Sequence, residues 1–238
     1  MWMEGGVRER TLIVIPARLK SSRLSEKLIR KIHGREIIVW VAQRIATLGV
    51  EFTVAIDDLK VGEILRNHQL PFILTDKDHI SGTSRLSQVA ELMPDFDFYC
   101  SIQGDEPLIN PSEVAKFVEQ GEKIAVDYLN AVCKFSKLED PKDASNVKAV
   151  VSSTGRLIYA SRAEVPFSSS TKKSEYLQIC GLYLFSKEFI LRYKYLPQSK
   201  LEVLEGIEQL RCLDLDIAIQ TLEIGGEMLS VDTYEDLE

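Results

Sequence analysis

The sequence predicts an α/β fold, with a mostly parallel, helix-wound central sheet first and a smaller antiparallel or mixed-sheet part after it. Two observations carry that expectation. As far as residue 125, short apolar runs alternate with helix-patterned stretches, the strand, helix, strand rhythm of a parallel sheet. Beyond it, strand-like runs crowd together around a polar hairpin signal, Ser153-Thr154-Gly155.

The first run, Thr11-Leu12-Ile13-Val14-Ile15-Pro16, is β-branched and ends at proline, as a strand covered on both faces would. A cation-rich loop follows over 17–31. Apolar residues then recur at three and four places over 37–48, which predicts an amphipathic helix stopped by Gly49. A strand at 52–56 runs into Asp57-Asp58, a helix covers about 61–67, and a strand covers 71–74. Residues 82–93 read as helix, and 96–102 as a strand feeding directly into Gln103-Gly104-Asp105-Glu106-Pro107. After a helix at 111–124 come strand-like runs at 130–135, 146–152, 157–161 and 180–185. A loop is expected at 168–173, one long helix over 200–215, and a last strand over 217–222. No internal repeat or low-complexity segment interrupts this order. The stripe Trp40, Val41, Ile45 and Leu48 reads as core packing, and His33, His68 and His79 as surface or structural residues.

Composition narrows the function. A chain of 238 residues buries about 70% of its extended surface, ample for one core without staples. Apolar residues at 45% and charged ones at 27% exclude a mostly disordered chain. The net charge of −7 argues against a nucleic-acid partner, which calls for a basic stripe. No apolar run approaches the roughly 18 residues of a membrane span, and the opening MWMEGGVRER lacks the apolar region of a secretory signal. The expectation is a cytoplasmic protein with no membrane partner. Cys100, Cys133, Cys180 and Cys212 form no CxxC pair and read as reduced core residues.

The loop after the first strand offers Arg18, Lys20, Arg23 and Lys27 with the hydroxyls of Ser21 and Ser22. Cations, hydroxyls and free N–H groups at a strand's carboxyl end can cradle a triphosphate. The spacing is neither that of a Walker A loop nor G-x-G-x-x-G, so P-loop hydrolysis and dinucleotide redox chemistry lose ground. Asp105 lies just past the carboxyl end of another strand, where open α/β sheets bind ligands.

Seven segments occur in a family's order: PARLKSSRLSEKL, SGTSRL, QGDEPLI, NVKAVV, YASRAEVPF, LEVLEGIEQLR and VDTYEDL. Through them the chain resembles the CMP-Kdo synthetase family, the 3-deoxy-manno-octulosonate cytidylyltransferases, from about residue 12 to 237. The resemblance implies a Rossmann-like, three-layer nucleotidyltransferase of one domain over 1–238. Residues 11–125 would be the CTP-binding core, 126–215 the sugar-acid-binding and dimerisation subregion, and 216–238 the return to the core. The implied reaction joins CTP to a 3-deoxy-2-keto sugar acid, Kdo or 8-amino-Kdo, with release of pyrophosphate, for lipopolysaccharide and cell-envelope biosynthesis. Mg²⁺ is the implied cofactor, on Asp105 and Asp232, although Asp232 would equally cap a helix before Glu235.

The resemblance also assigns the substrates. Arg18, Lys27 and Asp105 would be the catalytic set. Ala17, Arg18, Ser21, Arg23, Lys27, Ser81, Gly82, Arg85 and Gln103 would bind CTP, with Arg23 alternatively a surface cation. Arg162 would take the sugar acid's carboxylate in a paired contact, while Tyr183, Glu205, Glu208 and Gln209 would bind its hydroxyls. Glu205, Glu208 and Arg211 also stand at helical spacings where they could be an ordinary charged face. A homodimer through the strands of the second half is implied as well.

Several positions depart from the family pattern. Ser25 and Leu28 stand where it has prolines, Ile56 where it has threonine, and Ile179 where it has a histidine expected to touch the sugar. Gln178 is the neighbouring candidate to replace that histidine. The family's last helix lies beyond Glu238. These departures keep open a variant acid, another base or sugar, or a non-catalytic nucleotide-binding homologue.

Overall fold

The computed structural model describes residues 10–19, 24, 26–135, 139–167, 176–225, 230–231 and 237. Strand β1 (Thr11–Ala17) is followed by a short hairpin, β2 (Lys31–Ile32) and β3 (Arg35–Glu36), and by α1 (Ile37–Ala46). Then come β4 (Phe52–Ile56), α2 (Leu59–Asn67), β5 (Phe72–Leu74), α3 (Gly82–Leu92), β6 (Phe98–Ile102) and α4 (Pro111–Ile124). The second half runs β7 (Tyr128–Lys134), β8 (Lys148–Val151), β9 (Leu157–Ser161), β10 (Leu177–Ser186), α5 (Lys187–Tyr193), α6 (Lys200–Glu205), α7 (Gln209–Asp214) and β11 (Gln220–Glu223).

One sheet carries the order β11-β7-β10-β6-β1-β4-β5, with β8 on β10 and β9 on β8. β1 pairs in parallel with β4 and β6, β4 with β5, and β11 with β7. β10 is antiparallel to β6, β7 and β8. The second half is the mixed part expected: β10 runs against β6, β7 and β8, β9 runs against β8, and β7 and β11 resume the direction of the first strands. The long helix expected over 200–215 is broken, because Gly206 takes the left-handed conformation (φ 64°) and ends α6.

Alternation along β1 builds the three layers. Ile13 and Ile15 face a core with Ile38, Val41, Ala42 and Ile45 of α1, Val61 and Leu65 of α2, and Phe117 of α4. Leu12 and Val14 face the other core, with Leu86, Val89 and Ala90 of α3 and Phe189 and Ile190 of α5. Each such aliphatic or aromatic side chain contributes roughly 1.5–3 kcal/mol on burial. Trp40 departs from the expected stripe: its ring lies under the Arg35 guanidinium at 4.3 Å and its Nε1 donates to the Ile32 carbonyl, so it holds the hairpin. All four cysteines are buried and unbridged. Among the described residues no helix is long and apolar enough to cross a membrane.

Candidate active site

The parallel strands bring their carboxyl ends together, and Asp57, directly after β4, ties three of those ends. Its Oδ1 accepts the Leu19 N–H at 2.9 Å, fixing the start of the loop after β1. Its Oδ2 accepts from Arg85 of α3 at 3.1 Å, and Arg85 donates onward to the Thr75 hydroxyl after β5. Arg85 is fully buried, and burial pulls its pKa down against the raising charge of Asp57. Its Nε has no hydrogen-bond partner. The residue expected to read a base thus also braces the sheet ends.

The N-terminus of α3 lies beside this brace. Ser81 caps it in a reciprocal pair with Ser84, and Gly82 is its first residue. Exposed Arg18 donates to the carbonyls of His79 and Ile80 just ahead, at 3.3 and 3.4 Å. Ala17, the last residue of β1, is fully buried.

Lys27 and Asp105 form a direct ion pair through Nζ and Oδ2, with side chains only 11% and 15% exposed. The loop cation and the strand-end carboxylate, expected to serve different ligands, meet each other. Asp105 Oδ1 is buried without a hydrogen-bond partner. The Asp105 carbonyl accepts the Val231 N–H at 2.9 Å, so the segment that leads to Asp232 docks on this loop. Asp232, Ser21 and Arg23 themselves lie outside the described residues, as does the loop expected at 168–173. Among the described residues no three His, Cys, Asp or Glu side chains are grouped to hold a metal.

Sequence reasoning passed over Glu106, although it stands inside the QGDEP motif. Its carboxyl is buried, and burial next to Asp105 pushes its pKa well up, against the opposing hydrogen bond from the Gly181 N–H. A Cβ on Gly181 would lie 2.2 Å from Glu106 Oε1, so only glycine fits where β10 crosses this loop. The Gly181 carbonyl accepts the Gln103 N–H at 3.0 Å.

Gln103 also leads to the second half of the site. Its Nε2 donates to the Tyr183 hydroxyl of β10 at 3.2 Å. Burial raises the Tyr183 pKa and the charge of Glu208 adds to it, while the amides of Gln103 and Gln209 oppose. Glu208 accepts from Tyr193 at 3.4 Å, and Gln209 donates to Asn130 of β7 at 2.9 Å. Arg211 is 2% exposed and forked onto Glu202 at 2.7 and 2.6 Å, so this stretch is no solvated charged face.

Arg162 and Glu205 stand together at the end of β9 and hold backbone groups. The Arg162 guanidinium donates to the carbonyls of Glu205 and Ala144 at 2.8 Å, Ser145 at 3.3 Å and Gly206 at 3.5 Å. Glu205 accepts from the Ser161 hydroxyl at 2.7 Å and the Arg162 N–H at 3.0 Å. Together they clamp the end of β9 to the end of α6, because unpaired carbonyls there need donors. Ile179 packs against a cluster of Ala160, Ile207 and Leu210. Gln178 does not stand in for the family histidine: on the opposite face of β10, it donates to Glu139 at 2.9 Å.

Comparison with known proteins fits this geometry. A family model described as Cytidylyltransferase matches residues 12–220. A 3-deoxy-manno-octulosonate cytidylyltransferase of Acidobacterium capsulatum is 36% identical over 229 residues, covering 94% of this chain and 92% of the relative. The chain belongs to the 3-deoxy-manno-octulosonate cytidylyltransferase family. The Escherichia coli member is 34% identical over 231 residues, covering 96% and 94% of the two chains. A solved member, CMP:2-keto-3-deoxy-manno-octonic acid synthetase complexed with CTP, superposes with a TM-score of 0.88 at 33% identity. That match covers 96% of this chain and 95% of the other, so β1 to β11 all lie within the family's architecture.

Proposed function

We propose that the protein transfers the cytidylyl group of CTP to the anomeric hydroxyl of Kdo, forming CMP-Kdo and pyrophosphate for lipopolysaccharide and cell-envelope assembly. The hydroxyl oxygen bonds to the α-phosphorus and releases its proton to water as the bond from that phosphorus to the bridging oxygen breaks, and pyrophosphate carries away the displaced electron pair. Such a transfer asks little covalent chemistry of a protein and much fixed charge and alignment. The observation that carries the reading is the buried Lys27–Asp105 pair at the carboxyl ends of β1 and β6, with the second Asp105 oxygen unpartnered.

Arg18 and Lys27, joined by Arg23 and Ser21, hold the triphosphate and offset the charge that develops on it. Ala17, Ser81, Gly82, Arg85 and Gln103 take the nucleoside, with the unpartnered Arg85 Nε available to a base acceptor. The buried, unpartnered Asp105 Oδ1 suits a hard cation; with Asp232 it would hold Mg²⁺, which would supply positive charge against that of the phosphates. Tyr183, Glu208 and Gln209 contact the sugar acid, while Arg162 and Glu205 support that subsite from behind through the β9–α6 clamp. Val203 at 64% and Leu204 at 81% exposure support a second copy covering α6, as a homodimer. Unbridged cysteines support work in the reducing cytoplasm.

Ile179 favours a second reading, in which the acceptor is a variant of Kdo such as the 8-amino acid. Continuous pyrophosphate release decides, with CTP and Mg²⁺ against Kdo, 8-amino-Kdo, a nine-carbon sialic-type acid and no acceptor. Turnover on Kdo above the others supports the first reading, and turnover on 8-amino-Kdo alone the second. Preference for UTP, or CTP binding without turnover on any acid, overturns both.

A further inference from the structure

The chain passes from β5 to α3 over residues 76–80, and a side chain that no motif singles out holds this crossing in place. Its two ends are anchored locally: the Thr75 N–H donates to the Ile56 carbonyl at 2.9 Å, and Ser81 caps α3 with Ser84. Between those ends the crossing is tied to α3 by Gln88. That residue stands in the second turn of the helix, and because helical side chains lean toward the N-terminus it reaches back over the first turn. Its Oε1 accepts the Asp76 N–H at 2.8 Å and lies 2.7 Å from His79 Nε2.

Those two contacts fix the chemistry of all three groups. A main-chain N–H only donates, so the Gln88 atom facing Asp76 is its oxygen. An amide oxygen only accepts, so His79 Nε2 carries a hydrogen and gives it to the same atom. The carbonyls that follow, those of His79 and Ile80, receive Arg18 Nη1 at 3.3 and 3.4 Å. On its own chain, the peptide joining Arg18 to Leu19 is held by Asp57, which accepts the Leu19 N–H. Arg18 is thus fixed at its backbone by Asp57 and at its tip by two carbonyls that Gln88 keeps in place. Among the described residues only Nη1 of the guanidinium is engaged, which leaves the N–H groups of Nε and Nη2 to phosphate oxygens. An exposed arginine loses rotamer freedom when it binds an anion, and one already held loses less and binds better for it.

We infer that Gln88 is a positioning residue: through the His79 and Ile80 carbonyls it sets the Arg18 guanidinium for the triphosphate before CTP arrives. This rests on the cytidylyltransferase reading and adds a source of preorganisation for its phosphate cation. Gln88 touches no substrate, so its effect on the nucleotide passes through Arg18.

The test begins with Gln88→Met, which keeps the length of the side chain and removes the acceptor. KM for CTP is expected to rise about three- to tenfold, with KM for Kdo unchanged within about twofold. Gln88→Glu retains an oxygen for both donors and is expected to stay within about twofold of the unmutated enzyme in both constants. In an Arg18→Ala background, Gln88→Met is expected to change CTP affinity, measured by calorimetry, by less than about twofold, because nothing is left for it to act through. Should Gln88→Met fail to fold, Gln88→Ala, a stronger helix former that also lacks the acceptor, is measured in its place. Another readout needs no substrate: the His79 ring N–H resonance, identified by its absence in His79→Phe, is expected to exchange with water about tenfold faster once the acceptor is gone. Equal rises in both KM values, a Gln88→Glu enzyme as impaired as Gln88→Met, a full effect in the Arg18→Ala background, or unchanged exchange overturns the inference. Failure of the unmutated enzyme to turn over CTP with any sugar acid overturns the reading beneath it, a result the exchange measurement does not mimic.

Discussion

The two halves of the site are built from opposite materials. At the nucleotide end, charges are held by buried ion pairs, Lys27 on Asp105 and Arg85 on Asp57, at the tips of parallel strands. At the acceptor end, amides and phenols on β10, β7 and α7 predominate, with Glu208 beside Tyr193 and Gln103 bridging to the other half. In the proposed function, fixed charge would serve the transferring phosphoryl group, which is the same for every acceptor. Hydrogen bonds to amides and phenols would serve the part of the proposed reaction that differs between acids, where one changed contact shifts preference by about 1 kcal/mol rather than abolishing chemistry.

The sharpest break of that contrast is Asp105→Asn, which keeps the shape and removes the charge. Turnover is expected to fall about a thousandfold or more, with secondary structure by circular dichroism unchanged. A rate near that of the unmutated enzyme would remove Asp105 from the chemistry. Next is Asp57→Ala, which leaves Arg85 buried and alone and is expected to lower stability by about 3–5 kcal/mol in urea titrations. A loss below about 1 kcal/mol would make this pair no more than a surface bridge.

On the acceptor side the effects are smaller. Gly181→Ala forces a methyl onto Glu106 Oε1, and a cost of about 1–3 kcal/mol is expected from the same titration. Ile179→His restores the family's polar group and is expected to lower KM for Kdo between about two- and tenfold, the worth of one hydrogen bond. No change in KM would dissociate position 179 from the acceptor. Smallest is an effect of pH. Because burial raises the Tyr183 pKa above its ordinary value of 10.0, the donor is intact below that value and is lost only as pH rises beyond it. KM for the acid, compared between the unmutated enzyme and Tyr183→Phe from about pH 7 to 9.5, is expected to show no phenol ionisation. A step confined to the unmutated enzyme would contradict the buried phenol.

What could be read in advance followed what is local. β1, β4, β5 and β6 announce themselves because runs such as Leu12 to Ile15 are nearly all apolar, and Asp105 is conspicuous because a strand ends directly before its motif. Asp57 was visible as a strand-end acid, but its partners, Leu19 and Arg85, lie 38 and 28 residues away, and nothing local specifies that pairing. Arg162 and Glu205 have the right chemistry for a sugar acid, and the contacts of Arg162 with the carbonyls of 144, 145 and 206, far off in sequence, could not be read in advance. The break at Gly206 was signalled by the glycine itself, within a pattern otherwise helical on both sides.

The reversed direction of β10 gives this enzyme a ruler. A parallel strand brings its tip to a ligand, but an antiparallel neighbour runs past those tips and offers successive side chains of one face. Gly181 stands hard against the acidic loop, with Tyr183 two residues to one side and Ile179 two residues to the other, across the register slip with β7. Under the proposed function, acids of different length or tail chemistry would be told apart by side-chain replacement at a single mark, with the phosphate machinery left untouched.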